Sequence, residues 1–261
     1  MRAILLFAAI ISVAQVLSGN QIPVRYQEGV THGYLVLREL DGRPIADGEN
    51  SQVASGTTVR SRLVFRFKDG SLYDDTTVFT ERGKFRLVSD HSIEKGPSFK
   101  TQLESYIDAL TGEVSVKSLD QGRPKFIRQK MKLPPDVSNG LLYIIVKNIF
   151  PGPTTTVSYV AFSPKPRLVK LIFTRDGEQK FFTDATTHEA IRHVMKVEIG
   201  GITGVVASVL HKTPADTQFW LLDGSAPTFA GSQGPLYGSG PVWRIGLVSP
   251  ALRSNSARAS R

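Results

Sequence analysis

The side chains best suited to metal binding and acid–base chemistry are thinly spread along this sequence. It contains no cysteine, which excludes disulfides, thiol nucleophiles and cysteine-bound zinc. His188 and His193 stand five residues apart in a strand-like segment, so they point to opposite faces. No two histidines have i, i+4 spacing, and no His-Glu-x-x-His motif occurs. We therefore predict no metal site and no cofactor; the histidines considered are His32, His91, His188, His193 and His211.

Two adjacent pairs, Asp74 with Asp75 and Asp90 with His91, suggest acid–base catalysis at first sight. Neighbouring residues of a strand face opposite ways, so Asp74 and Asp75 cannot jointly hold one substrate atom. No Gly-x-Ser-x-Gly nucleophile motif is present. We predict no catalytic residues, with one enzyme alternative, a hydrolase with a dispersed site. That alternative requires at least two of the following to meet in one cleft: Asp90, His91, His188, His193 and His211.

Two glycine-rich segments, residues 200–204 and 231–241, raise the question of phosphate binding. A phosphate cradle needs a strand before it, a helix N-terminus after it and, in P-loops, a Lys-Ser/Thr pair. Neither segment has that context, so both are predicted to be turns or bulges. Nucleic-acid binding would need exposed aromatic residues among clustered basic ones; the aromatic residues here alternate into the predicted core instead, so nucleic acid is not a predicted partner.

The elements that would position any site are short antiparallel strands. Residues 59–67 alternate between an apolar and a basic face, as expected for a half-buried strand. Asp-Gly pairs, typical of tight hairpin turns, occur at 41–42, 47–48, 69–70, 176–177 and 223–224. The pair at 176–177 predicts a hairpin between strands 168–174 and 179–183. The fold class is therefore mainly β, with no fixed-period repeat.

The most apolar segment outside the N-terminus is the stretch from Leu133 to Gly152. Pro134 and Pro135 end the preceding strand, and Asp136 is a plausible helix N-cap. The apolar spacing that follows predicts one buried helix ending before Pro151. A buried strand over 141–146 is the alternative, because three consecutive β-branched residues occur there. With the helix, the prediction is a strongly curved antiparallel sheet, a half-barrel, wrapped around one central helix.

Both ends of the chain have the composition of processed or loose segments. A positive residue, an apolar run and small residues over 1–18 predict a secretory signal peptide, and hence a periplasmic or secreted protein. Residues 252–261 are small, polar and basic, and predict a disordered tail. Residues 19–251 are then a single β-rich domain, since no linker long enough to divide it is found.

The formal net charge is +9, which favours anionic partners such as phospholipid headgroups. The face of the predicted strand 125–133 that carries Arg128, Lys130 and Lys132 is mainly cationic. It could contact an anionic membrane surface peripherally, or it could be the solvent side of an ordinary exposed strand. Composition leaves both alternatives open.

The layout resembles the Lol-type half-barrel superfamily, which includes envelope lipoprotein carriers and other periplasmic proteins. The resemblance is carried by Leu133-Pro-Pro-Asp136 followed by Gly140-Leu-Leu, and by Asp216-x-x-Phe219-Trp220 with Pro227 after it. Segments 67–73, 163–170 and 196–201 also look like those of an exported bacterial family. The half-barrel implies an apolar cavity between sheet and helix that can shield an acyl chain. The chain is longer than the lipoprotein carriers usually are.

These observations lead to the expectation of an exported, non-enzymatic binding protein for an apolar or amphiphilic envelope molecule, such as a lipid or acyl chain. A structural or interaction module of the envelope is the alternative, and an envelope protein is the other possible partner. The tentative cleft-lining residues, taken from one strand and from the central helix, are Leu63, Phe65, Phe67, Leu141, Ile144 and Ile145.

Overall fold

The computed structural model describes residues 21–120, 122–150, 152, 154–162, 165–183, 186–199, 214–238 and 240–248. The predicted signal peptide, the predicted basic tail and the predicted turn at 200–204 lie outside these residues. The first eight strands are β1 (Thr31–Arg38), β2 (Pro44–Ser55), β3 (Thr58–Phe67), β4 (Leu72–Arg82), β5 (Lys84–Lys95), β6 (Gln102–Asp108), β7 (Glu113–Asp120) and β8 (Arg123–Lys130). Then follow α1 (Leu142–Asn148), β9 (Thr155–Ala161), β10 (Arg167–Thr183), β11 (Thr186–Glu198), β12 (Thr217–Leu222), β13 (Thr228–Pro235) and β14 (Val242–Val248).

All of these strands belong to one antiparallel sheet that is not closed. Its order runs β8-β7-β6-β5-β4-β3-β2-β1-β14-β13-β12-β11-β10-β9. Two meanders, β1–β8 and β9–β14, are therefore joined where β1 pairs with β14. The sheet edges are β8 and β9, which are consecutive in the chain, so the segment between them must run from one edge to the other.

Turn chemistry explains much of the hairpin geometry. Gly42 and Gly70 have φ angles of 93° and 85°, confirming the turns predicted at these Asp-Gly pairs. The turn predicted at Asp47-Gly48 is wrong, because Gly48 lies inside β2. A Cβ at Gly48 would overlap the ring of Phe65 on β3, which is a fully buried side chain. Glycine is required there by close packing instead of by a turn.

Two other predicted turns are strand in the structure. The hairpin expected around Asp176-Gly177 is one long strand, β10, whose pairing with β11 shifts register between Arg175 and Glu178. Gly177 has a φ of 83° at this irregularity, which is the glycine position of a β-bulge. The first part of the glycine-rich segment 231–241 belongs to β13, which pairs with β12 and β14.

The segment between β8 and β9 covers the exposed edge of β9. Ser138 donates its backbone N–H to the carbonyl of Ser158 at 2.9 Å. The Asn139 side chain accepts from the N–H of Val160 at 2.9 Å and donates to its carbonyl at 3.0 Å, as a neighbouring strand would. From the other edge, the Gln129 amide donates to the carbonyl of Pro166 at 3.0 Å. Backbone groups that would otherwise be free are thereby satisfied.

The helix α1 is shorter than predicted and begins later. It spans Leu142–Asn148, and its N-cap is Leu141, which makes no side-chain capping hydrogen bond. The predicted N-cap at Asp136 is wrong, because the chain turns at Gly140 (φ 67°) before it becomes helical. The predicted burial of the helix is confirmed, since the side chains of Ile144, Ile145 and Val146 are at most 4% exposed.

The inner face of the sheet, defined by the buried side chains, carries two apolar clusters. The first contains the buried helix residues together with side chains from β3–β7 and β9–β12, including Phe79, Ile107 and Phe173. The second contains side chains from β1–β4 and β14, including Phe65 and Trp243. Tyr143 of α1 packs against both clusters. Helix α1 is too short to cross a membrane, and the described residues contain no other helix.

Candidate functional site

The tentative cleft-lining residues lie in the two inner clusters and not along one open cleft. Leu141, Ile144 and Ile145 belong to the first cluster and are at most 4% exposed. Phe65 and Phe67 belong to the second, with 0% and 7% exposure. Leu63 is half-buried beside that second cluster. Their role as ligand contacts stays a prediction, and no residue of the set except Leu63 has appreciable solvent contact.

An open groove of about 570 Å³ lies at the neighbouring ends of β5, β6, β7 and β8. We call it the end groove. Two of its apolar side chains are strongly exposed, Phe126 at 59% and Leu119 at 39%. The other apolar lining comes from Ile93, Leu103 and Pro124. Exposed apolar side chains gathered in a concavity are typical of a contact site for another molecule.

Three lysines, Lys95, Lys117 and Lys125, also line the end groove. Lys117 is engaged, with its Nζ 3.1 Å from Oε2 of Glu104. Lys95 and Lys125 are exposed and form no ion pair with any other described residue. The groove therefore combines an apolar floor with one uncompensated cation on the same face, Lys95, because the side chains of Lys125 and Glu94 point to the opposite face of the sheet. This combination suits an amphiphile with a negative head.

A second polar region lies on the inner face, where β4 and β5 pair. Asp75 and Tyr73 point inward from β4, and Asp90 and Glu94 from β5, with Tyr73 directly opposite Glu94. We call Tyr73, Asp75, Asp90 and Glu94 the inner carboxyl site. Asp74 lies on the other face, where Arg62 donates to it, so the predicted divergence of Asp74 and Asp75 is confirmed.

A β-bulge brings the inner carboxyls together. In the β4–β5 ladder Leu87 pairs with Phe79 but Ser89 pairs with Val78, so Val88 is an extra residue. One extra residue reverses the face of every side chain beyond it. Leu87 and Asp90 are consequently both buried, although they are three residues apart. Sequence alternation alone misses this convergence.

Burial dominates the electrostatics of the inner carboxyls. It raises the pKa of Asp75 far above its usual range, and the nearby charge of Asp90 raises it further. Burial raises the pKa of Asp90 to about 6, opposed by hydrogen bonds from Thr77 and Asp75. Burial alone raises the pKa of Glu94 to about 8. Asp75 therefore keeps its proton at neutral pH and shares it with Asp90.

The backbone of Gly140 closes over this pair. Thr77 donates its hydroxyl to Oδ1 of Asp90 at 3.0 Å. A Cβ on Gly140 would overlap the Thr77 hydroxyl and stand 2.5 Å from Asp90 Oδ1. Only glycine fits here, because φ is also positive. The turn before α1 and the inner carboxyl site thus depend on each other.

The enzyme alternative requires at least two residues of one set to meet in one cleft. The set is Asp90, His91, His188, His193 and His211. Asp90 is on the inner face, whereas His91 faces outward, 3.1 Å from Oε1 of Glu104. His193 is buried on β11, where burial and the charge of Arg175 lower its pKa to about 4. No three His, Cys, Asp or Glu residues in the described ranges are placed to hold a metal ion.

Comparisons with known proteins add little. No protein-family model matches the sequence. No curated protein matches it either. The crystal structure of a beta-barrel-like protein of the domain of unknown function DUF1849 from Brucella abortus is similar at 12% identity and a TM-score of 0.44, covering 86% of this chain and 98% of that chain. A likeness this weak carries no inference about function.

Proposed function

We propose that the protein is a non-enzymatic binding protein that takes up an amphiphilic molecule, with an apolar chain and an anionic head, in the end groove. The observation that carries the proposal is the groove itself: the exposed side chains of Phe126, Leu119 and Lys95 lie on one face of the sheet. Removing such apolar surface from water contributes about 25 cal/mol per Å².

The groove dimensions and charges support a lipid-like ligand. Its volume of about 570 Å³ lies within the range of ligand sites, roughly 300–1,000 Å³. An acyl chain would cover the apolar floor, and a carboxylate or phosphate head would meet Lys95. Lys95 is exposed in the free protein, so pairing it with an anionic head does not require an existing ion pair to be broken.

The setting of this function is part of the same proposal. The signal-like sequence at 1–18 supports export to the periplasm or beyond the cell, where amphiphiles of the envelope and anionic membrane surfaces are available. A half-barrel of Lol type, with the sheet curved around α1, is proposed as the architecture. The first apolar cluster contains side chains from both meanders and from the helix, and this composition supports the half-barrel architecture.

The test is a titration with a fluorescent long-chain fatty acid, comparing the wild type with Leu119→Ser/Phe126→Ser. The groove variant should lose at least tenfold in affinity, because both substitutions remove apolar contact area. The control variant is Leu40→Ser/Leu247→Ser, which alters side chains of similar exposure, 48% and 46%, away from the groove. This control should bind as the wild type does.

A charge test separates specific binding from general stickiness. Lys95→Gln should weaken binding of the fatty acid and leave binding of the matching long-chain alcohol unchanged. Absence of any fatty-acid binding, or equal losses in the groove and control variants, would contradict the proposal.

One observation favours a second candidate, a structural module of the envelope. On α1 the side chains of Ile144, Ile145 and Val146 are 4% exposed or less, as in a closed interior. If the amphiphile titrations show no binding, this alternative predicts a protein that is retained by isolated envelope fractions and released by high salt.

A further inference from the structure

The inner carboxyl site holds polar groups that the described protein leaves unused. Oδ1 of Asp75 is fully buried and has no hydrogen-bond partner. Tyr73 is only 9% exposed, and its hydroxyl makes no hydrogen bond to any other described residue. Buried polar groups are normally satisfied, and each exception needs an explanation. A bound molecule that donates hydrogen bonds is one such explanation.

The site also lacks a positive charge. Asp75, Asp90 and Glu94 lie on one face, and no lysine or arginine among the described residues pairs with any of them. His91, whose charge lowers the pKa of Asp90, faces outward from the neighbouring position. Acidic side chains are seldom buried without a partner.

We infer that the inner carboxyl site binds a small organic cation through its primary ammonium group. An ammonium supplies one positive charge and three hydrogen-bond donors. Asp75 Oδ1, a carboxyl oxygen of Glu94 and the Tyr73 hydroxyl oxygen are three acceptors for those donors. The site differs from the end groove in its ligand and in its face of the sheet, because the side chain of Glu94 points inward.

The surroundings favour an organic cation over a metal ion. Tyr143 and Tyr159 are half-buried; burial raises the pKa of both, and the charge of Asp75, with that of Asp90 for Tyr159, raises it further. Aromatic rings attract ammonium groups and pack against alkyl chains. Tyrosine hydroxyls and protonated carboxyls are poor ligands for divalent metals, in keeping with the absence of a three-ligand cluster in the described ranges.

The test is an NMR titration of the full chain with n-butylammonium, and with butan-1-ol and butyrate as neutral and anionic counterparts. Butylammonium should bind, and the other two should bind at least tenfold more weakly. Asp75→Asn/Glu94→Gln should abolish this preference, because two inner carboxyls are removed. The control, Asp74→Asn/Glu49→Gln, removes two outward-facing carboxyls that pair with Arg62 and His32. It should keep the preference.

The affinity for butylammonium should rise between pH 6 and pH 8. Protons compete with the cation for the carboxyls, while the amine, with a pKa near that of lysine at about 10.4, stays charged. The titratable groups facing the site are Tyr73, Asp75, Asp90, Glu94, Tyr143 and Tyr159, with His91 behind it.

Several results would overturn the inference. Equal binding of butylammonium and butyrate, equal binding by the inner and outer double variants, or shifts caused by calcium or zinc but not by butylammonium would each do so. Leu119→Ser/Phe126→Ser should leave butylammonium binding unchanged, so failure of the fatty-acid proposal and failure of this one give different results.

Discussion

Replacing Gly140 by alanine tests whether the turn before α1 and the inner carboxyls form one packed unit. The new Cβ would overlap the Thr77 hydroxyl and stand 2.5 Å from Asp90 Oδ1. Thr77 would have to move, and its hydrogen bond to a charged partner, worth about 1.5–3 kcal/mol, would be lost. The positive φ of 67° adds about 1–2 kcal/mol for a residue with a Cβ. We expect Gly140→Ala to lower the free energy of unfolding by about 4 kcal/mol.

The matched control is Gly56→Ala. Gly56 has a φ of 60°, close to that of Gly140, but a Cβ there would meet nothing within 4 Å. Gly56→Ala should therefore lower the free energy of unfolding only through the positive φ, by about 1–2 kcal/mol. Urea unfolding of both variants measures the difference directly. Equal destabilisation would refute the packing argument, as would full additivity of Gly140→Ala with Thr77→Ala, since the two side chains compete for one space.

Three more predictions concern single side chains. Burial raises the pKa of Glu94 from its ordinary 4.5 to about 8 in the folded protein, so stability should fall as pH rises between these values. Glu94→Gln should remove about 2 kcal/mol of that loss in urea unfolding at pH 5 and pH 8, and identical pH profiles would exclude the effect. Asn139→Ala should cost about 2–4 kcal/mol, because the N–H and carbonyl of Val160 lose their partner; a thermal melt within 2 °C of wild type would argue against edge pairing. Lys147→Met should cost about 2–3 kcal/mol, since Lys147 lies 2.6 Å from the buried Glu28; the same cost in a Glu28→Gln background would show that the ion pair is not responsible.

The strands could be predicted largely from the sequence because alternation is a local signal. The alternation over 59–67 corresponds to β3, in which Val59, Phe65 and Phe67 are buried. Asp-Gly pairs were less reliable. Gly48 is needed for close packing against Phe65, and Gly177 for a bulge within β10, and neither requirement can be distinguished from a turn along the chain alone.

The central stretch shows the same limit. Its burial was predictable from composition, whereas the start of α1 was not. Asp136 has the residue type of an N-cap, but the backbone around it pairs with β9, and tertiary hydrogen bonds there replace the first turns of the predicted helix. Local propensity was overridden by the need to cover an open strand edge.

The sequence by itself determined the mainly β class, the buried apolar middle and the absence of cysteine chemistry, because each depends on composition or on periods of a few residues. Only the tertiary structure decided where polar groups meet. Asp75 and Asp90 meet because one extra residue, Val88, reverses the face of β5. The end groove exists because Leu119 and Phe126 lie on paired strands whose ends coincide. Register and strand ends are relations between distant parts of the chain, and no local pattern records them.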